Sequence, residues 1–246
     1  MGRFDQYPLA LYVAVLVSLL GAFQTGYHFG ILNTALHFIS QDLRFTLEGG
    51  GAIVTSALLL GGALGALTAG QTADILGLKR AVSSNNLLLA LGCLIGSLAQ
   101  GINGLTLGRL ITGIGSGAAT VYVPRYIAEI SPPSIRGSLS SCNQLLVCVG
   151  SLVAFMIGLP YASKTDYRFG IGGIDIAWWR AMQAAGIIPA LLQAASMVSC
   201  PESPVWLDMA HQPDEAQKYH MDSTKRALSL ARVLARSAAA HCSHTS

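Results

Sequence analysis

The sequence predicts an all-α membrane protein, a six-transmembrane-helix bundle. Three observations lead there. The chain has 246 residues, 52% of them hydrophobic and only 11% charged. Its mean hydropathy is +0.52. Its charges also fall in clusters that leave six long apolar runs between them. A soluble domain carries about 25% charged residues, so a water-soluble globule of this composition is excluded. The net charge of +3 and the lack of basic patches with interleaved aromatics exclude nucleic acid as a partner.

Charge is absent from Gln6–Gln41, Gly49–Ala73, Ala81–Gly108, Leu110–Pro124, Gly137–Ser163 and Ala181–Pro201. A spanning helix needs about 20 mostly apolar residues. Five runs meet this unaided, and the fourth does so with Arg109 or Arg125 in the helix or at its end. The six helices are placed at 9–32, 51–71, 81–101, 105–126, 138–160 and 179–200. The first is read as a retained helix and not a cleaved signal, because apolar character continues past Gly30. Barrel strands need only about 10 alternating residues each and do not fit these runs.

An even helix number puts both ends on one side. With that side inside, Arg3, Lys79, Arg80, Arg125, Arg136, Lys218, Lys225, Arg226, Arg232 and Arg236 are internal. Arg44, Arg109, Lys164, Arg168 and Arg180 are external. Ten against five follows the positive-inside rule. Residues 1–200 therefore form the bundle, and 201–246 a cytoplasmic-side linker or tail. Asp214–Arg236 reads as amphipathic helix or solvated linker.

Glycines recur at one-turn spacing: Gly61 with Gly65, Gly92 with Gly96, Gly113 with Gly117. Such pairs flatten a helix face for close packing. Cys93, Cys142 and Cys148 lie in apolar runs, Cys200 ends one, and Cys242 is in the tail, so they read as small apolar residues. No cofactor or metal is implied. Trp178 and Trp179, at the outer end of the sixth run, read as an interfacial aromatic belt. Asp74 is placed in a short inner turn, Gly70 to Arg80, and Glu129 and Arg136 in a second, Pro124 to Gly137. A carboxylate and cations in such turns form an ordinary interfacial salt bridge or a latch.

Together these strings resemble the sugar-porter family of the major facilitator superfamily. The first turn resembles G-x-x-x-D-R-x-G-R-(R/K) through Gly70, Asp74, Gly77 and Lys79. The second resembles P-x-Y-x-x-E-x-x-P-x-x-x-R-G through Pro124, Tyr126, Glu129, Pro132 or Pro133, Arg136 and Gly137. Pro201-Glu202-Ser203-Pro204-Val205-Trp206-Leu207 resembles P-E-S-P-R-(W/F/Y)-L. Gly26-Tyr27-His28-Phe29-Gly30, Asn143-Gln144-Leu145 and Trp178-Trp179-Arg180 are most similar to plastidic glucose transporters. Ile75, Leu78 and Val205 stand where the family has arginines of an inner latch.

The resemblance implies the N-terminal half of a twelve-helix fold, with a hexose held between two six-helix halves. It implies a facilitative hexose (glucose-like) transporter, not an enzyme, working by alternating access in a plastid envelope or a plasma membrane. The partners implied are a hexose, the lipid bilayer, and a second transporter half or another copy of the chain. A non-transporting six-helix protein that pairs with or regulates a transporter is the alternative.

The resemblance places sugar-facing residues on the first and fifth helices. Gln144 is the main candidate, since an amide both donates to and accepts from a hydroxyl. An interhelical hydrogen bond is its other reading. Val147 and Ser151 follow at i+3 and i+7 on the same face, and Thr25 and Asn33 are candidates on the first helix. Coupling and gating candidates are His28, Arg109, Asp74, Glu129 and Arg136. Proton-coupled members carry an aspartate where this chain has His28, paired with the arginine matched by Arg109. Burial and a like charge both disfavour an imidazolium, so His28 is expected to stay neutral and transport to be uniport.

Overall fold

A computed structural model describes residues 9–159, 168–171 and 174–209. The chain divides into two units, Met1–Pro201 and Glu202–Ser246. The first is an all-α bundle with one small hairpin. Its helices are α1 (Leu9–Asp42), α2 (Ala52–Leu76), α3 (Leu78–Ser97), α4 (Ile102–Ile130) and α5 (Pro133–Gly158). Then come β1 (Arg168–Ile171), β2 (Ile174–Ala177), α6 (Trp178–Ala185) and α7 (Ile187–Met197). A π-helical turn, Leu47–Gly51, precedes α2.

Several elements differ from the sequence reading. α1 continues to the first charge, Asp42, because nothing in Asn33–Gln41 interrupts it. Its 34 residues would extend about 50 Å, well beyond a hydrocarbon core of about 30 Å. The inner turn placed at Gly70 to Arg80 is mostly helix. It shrinks to Gly77, whose φ of 84° and ψ of 152° favour a residue without Cβ. α4 runs through Pro124 to Ile130, and Pro133 opens α5 at its first position. Asp74 and Glu129 are thus on helices, and Arg136 is in the first turn of α5.

The sixth span is two helices divided at Gly186. Pro189 has no N–H to offer the carbonyl four residues back, at Ala185, and the helix breaks beside that carbonyl. The connection between α5 and α6 holds an antiparallel hairpin with Phe169 opposite Ile176 and Ile171 opposite Ile174. Four-residue runs on either side of Gly172-Gly173 are a hairpin signal that helix-length runs had overshadowed.

Close backbone approach organises the bundle. α2 lies on α4, where a Cβ on Gly61 would strike the Leu110 carbonyl and one on Gly117 the Gly62 carbonyl. α1 lies on α5, where a Cβ on Gly26 would strike the Val147 carbonyl and one on Gly150 the Phe23 carbonyl. α1 is central, with Ile31, Ala35 and Ile39 fully buried. α2 and α5 keep one face outward. Leu60, Leu64 and Leu67 on α2, and Leu145, Leu152 and Met156 on α5, are exposed.

By length and apolarity alone, Leu11–Asp42, Leu47–Leu76 and Pro133–Gly158 qualify as membrane spans among the described residues. α3 and α4 carry Asn85, Asn86, Thr112 and Ser116, all buried against their neighbours.

In the second unit, Ser203 opens a short helix, α8 (Pro204–Met209). Its Oγ accepts the Trp206 N–H at 3.3 Å. Arg3, Lys164 and the amphipathic stretch 214–236 lie outside the described residues.

Candidate functional site

At the C-terminal ends of α2 and α4, Arg125 joins both candidate carboxylates. Its Nη2 is 2.8 Å from Asp74 Oδ1 on α2. Its Nε is 2.8 Å from Glu129 Oε1, one turn along α4. Asp74 is 59% exposed and Glu129 13%, so the two arms differ in solvent screening. Arg136 Nη2 donates to the Ser131 carbonyl at 3.2 Å, at the end of α4. Lys79 Nζ donates to the Val198 carbonyl at 2.6 Å, just past α7. Tyr126 donates its hydroxyl to the Pro201 carbonyl at 2.7 Å.

The five sugar-facing candidates separate into two groups. Thr25 is 3% exposed. Its hydroxyl donates to the Gly21 carbonyl at 3.0 Å and lies 3.4 Å from the Ser116 carbonyl. Ser151 donates to the Gly26 carbonyl at 3.0 Å, beside the Val147 backbone that faces the same glycine. These three tie α1 to its neighbours.

Gln144 and Asn33, in contrast, are exposed. The Gln144 amide has a long contact, 3.9 Å, from Nε2 to Cys148 Sγ. Asn33 lines a cleft of about 370 Å³ between α1 and α2, with Phe29, Leu32, Leu36, Thr55, Leu58 and Leu59. An aromatic ring, two polar side chains and aliphatic walls form a surface able to contact both faces of a polyol.

His28 and Arg109 are both buried, at 0% and 1% exposure. They meet through the backbone and not ring to guanidinium. Arg109 Nη1 donates to the His28 carbonyl at 3.3 Å. The imidazole Nε2 lies instead 3.8 Å from Cys93 Sγ on α3.

Other groupings lay beyond the sequence reading. Gln193 on α7 donates through Nε2 to the Val17 and Ser18 carbonyls at 2.9 and 3.1 Å. That fixes its Oε1 toward Gln24, whose Nε2 donates at 2.7 Å. Gln24 Nε2 also lies 3.4 Å from Asn86 Oδ1. Amides within three apolar runs are a signal that could have suggested mutual pairing, since an unpaired buried amide is costly.

Trp179 is 1% exposed and so does not belong to an interfacial belt. Its Nε1 donates to Asp42 Oδ2 at 3.0 Å, while Trp178 Nε1 donates to the Ile157 carbonyl at 2.8 Å.

Comparison with known proteins gives consistent matches. The family model described as Sugar (and other) transporter matches residues 13–236. Plastidic glucose transporter 4 of Arabidopsis thaliana is 39% identical over 206 residues, covering 82% of this chain and 35% of that protein. The glucose transporter GlcP of Staphylococcus epidermidis is 34% identical over 215 residues, covering 87% of this chain and 45% of that protein. In fold, the chain is similar to the partially occluded inward-open xylose transporter XylE from E. coli. The TM-score is 0.77 at 22% identity, covering 91% of this chain and 57% of that one. The chain thus spans less than half the length of these two sequence relatives.

Proposed function

This chain belongs to the sugar transporter family, and we propose that it supplies the N-terminal half of a facilitative hexose transporter. The observation that carries this reading is the exposure of two side-chain amides, Gln144 on α5 and Asn33 on α1, both on helices long and apolar enough to span a membrane. An amide facing lipid is costly, whereas one facing a watered cavity meets sugar hydroxyls. The six-helix bundle, residues 1–200, forms one wall of that cavity. Residues 201–246 begin the inner linker to the opposing wall.

Transport proceeds by alternating access, with no covalent step and no enzyme activity. The Arg125 bridge between Asp74 and Glu129 supports an inner latch built from one arginine, where the family motif uses more. Arg136 secures the α4–α5 corner of that latch. The His28–Arg109 pair lacks a carboxylate, which supports sugar-gradient-driven uniport. Similarity to plastidic glucose transporters favours a plastid envelope over a plasma membrane.

The alternative is a non-transporting partner or regulator of a full transporter. Co-expression with the C-terminal half of a related plastidic glucose transporter separates the two. Saturable glucose uptake that needs both pieces supports the proposal. Absence of uptake from a pair that assembles favours the alternative.

A further inference from the structure

Gln144 and Asn33 sit at different levels of the bundle. α1 and α5 run in the same direction and in step. A Cβ on Gly26 would strike the Val147 carbonyl, one on Gly30 would meet Ala154 and Ser151, and one on Gly158 would meet Thr34. Ser151 also donates to the Gly26 carbonyl at 3.0 Å. Gln144 comes one turn before Val147, and Asn33 two turns after Gly26. At about 1.5 Å of rise per residue, their backbones are roughly 15 Å apart along the helix axes. The Gln144 amide leans toward Cys148, which brings it to the level of Gly26 and still leaves it about 10 Å short of Asn33.

The two amides also face different ways. Gly26 and Gly30, one turn apart, form the side of α1 that meets α5. Phe29 and Asn33, also one turn apart, lie roughly a quarter-turn around the helix and line the cleft with α2. One pyranose ring cannot hydrogen-bond both amides at once.

The α1–α2 cleft holds the parts a pyranose needs without help from α5. Phe29 is 40% exposed and presents a π-face to the apolar C–H side of a sugar ring. Asn33 can both donate to and accept from hydroxyls. The Thr55 hydroxyl gives its hydrogen to the Gly51 carbonyl at 2.9 Å, which leaves its lone pairs to accept a sugar O–H. Leucines of both helices complete the walls, and the cleft volume of about 370 Å³ falls within the range of small-molecule sites. A lipid tail in the same place would leave the Asn33 amide without a partner, at a cost.

We propose that Phe29, Asn33 and Thr55 form a second hexose subsite, separate from the one at Gln144 and built wholly from this chain. It rests on the sugar-transporter reading given above, and it turns the N-terminal half into a path with two stations. Its occupant is a single pyranose, stacked on Phe29 and held by Asn33 and Thr55. The sugar occupies this cleft and the Gln144 station in turn, never both together.

The test is saturation-transfer NMR of D-glucose, and of open-chain sorbitol, on the purified full chain in detergent. Expected is saturable transfer to the ring C–H protons of glucose and little to sorbitol. Asn33→Leu, Phe29→Leu and Thr55→Val should each weaken glucose binding several-fold, and Phe29→Tyr should retain it because the ring remains. All three positions are exposed or partly so; should Asn33→Leu fail to fold, Thr55→Val and the Phe29 pair decide. No saturable transfer from the folded chain, equal transfer to sorbitol, or unchanged affinity in Asn33→Leu and Thr55→Val would each overturn the proposal. Glucose uptake by the chain completed with a C-terminal half, with binding indifferent to Asn33→Leu, refutes the subsite alone. Binding that follows these residues in a pair that carries no glucose supports the subsite and refutes the transporter reading alone.

Discussion

The Trp179 indole donates its Nε1–H to Asp42 Oδ2 at 3.0 Å, bridging 137 residues of sequence. Arg180 completes the brace. Its guanidinium carbon sits 4.4 Å from the Trp179 ring centroid, and its Nη1 donates to the Ser97 carbonyl at 2.9 Å. The C-terminal ends of α1 and α3 and the N-terminal end of α6 are thereby tied together. Trp179→Phe keeps most of the packing but leaves Asp42 without that donor. Hydrogen bonds to charged groups are worth roughly 1.5–3 kcal/mol, so thermal unfolding in detergent should show a loss of that order. An unchanged melting temperature would mean the brace adds nothing.

The amide chain through Gln24 and Gln193 should behave as a unit. Gln193→Leu removes the acceptor for Gln24 and the donor to Val17 and Ser18. The expected cost is about 1–3 kcal/mol, the penalty for unpaired buried polar groups. Adding Gln24→Leu removes an orphan, so the double variant should be less destabilised than the sum of the singles. Strict additivity in a double-mutant cycle would contradict the network.

Much of the bundle was legible because charge is so unevenly distributed: each charge-free run contains the main part of one span. Glycine spacing also marked the flattened faces at which α2 and α4 meet, though not which helix each would meet. The helix ends were less legible. Gly77 alone turns the chain between α2 and α3, since a tight turn needs no loop-forming composition around it. Trp179 was misread because a tryptophan beside an arginine at a span's end looks the same whether it meets headgroups or a distant aspartate. Arg125 was passed over as an anchor at the end of a short run. Its two carboxylates become neighbours only once α2 lies against α4.

Glycine substitutions should separate packing from propensity. Gly117→Ala puts a methyl into the Gly62 carbonyl and forces α2 from α4, costing roughly 1–3 kcal/mol. Gly70, also on α2, has nothing within 4 Å of an added Cβ. Gly70→Ala should be neutral or stabilising by up to about 1 kcal/mol through helix propensity. Equal effects in a melting assay would refute the close-packing assignment.

Uniport makes its own demand on the completed transporter. Glucose should not accumulate uphill when a proton gradient is imposed, and a protonophore should leave uptake unchanged. Proton-driven accumulation that disappears in His28→Asn would assign His28 to coupling instead.

The most direct measurement of the central claim is saturable glucose uptake into proteoliposomes, comparing the 246-residue chain alone, the chain with a related C-terminal half, and that pair carrying Gln144→Ala. One lost hydrogen bond to a neutral hydroxyl is worth about 1 kcal/mol, hence roughly several-fold in affinity. The account predicts no uptake by the chain alone, uptake by the pair, and a several-fold weaker apparent affinity in Gln144→Ala. Saturable flux through the chain by itself, or a pair whose affinity ignores Gln144, would contradict it.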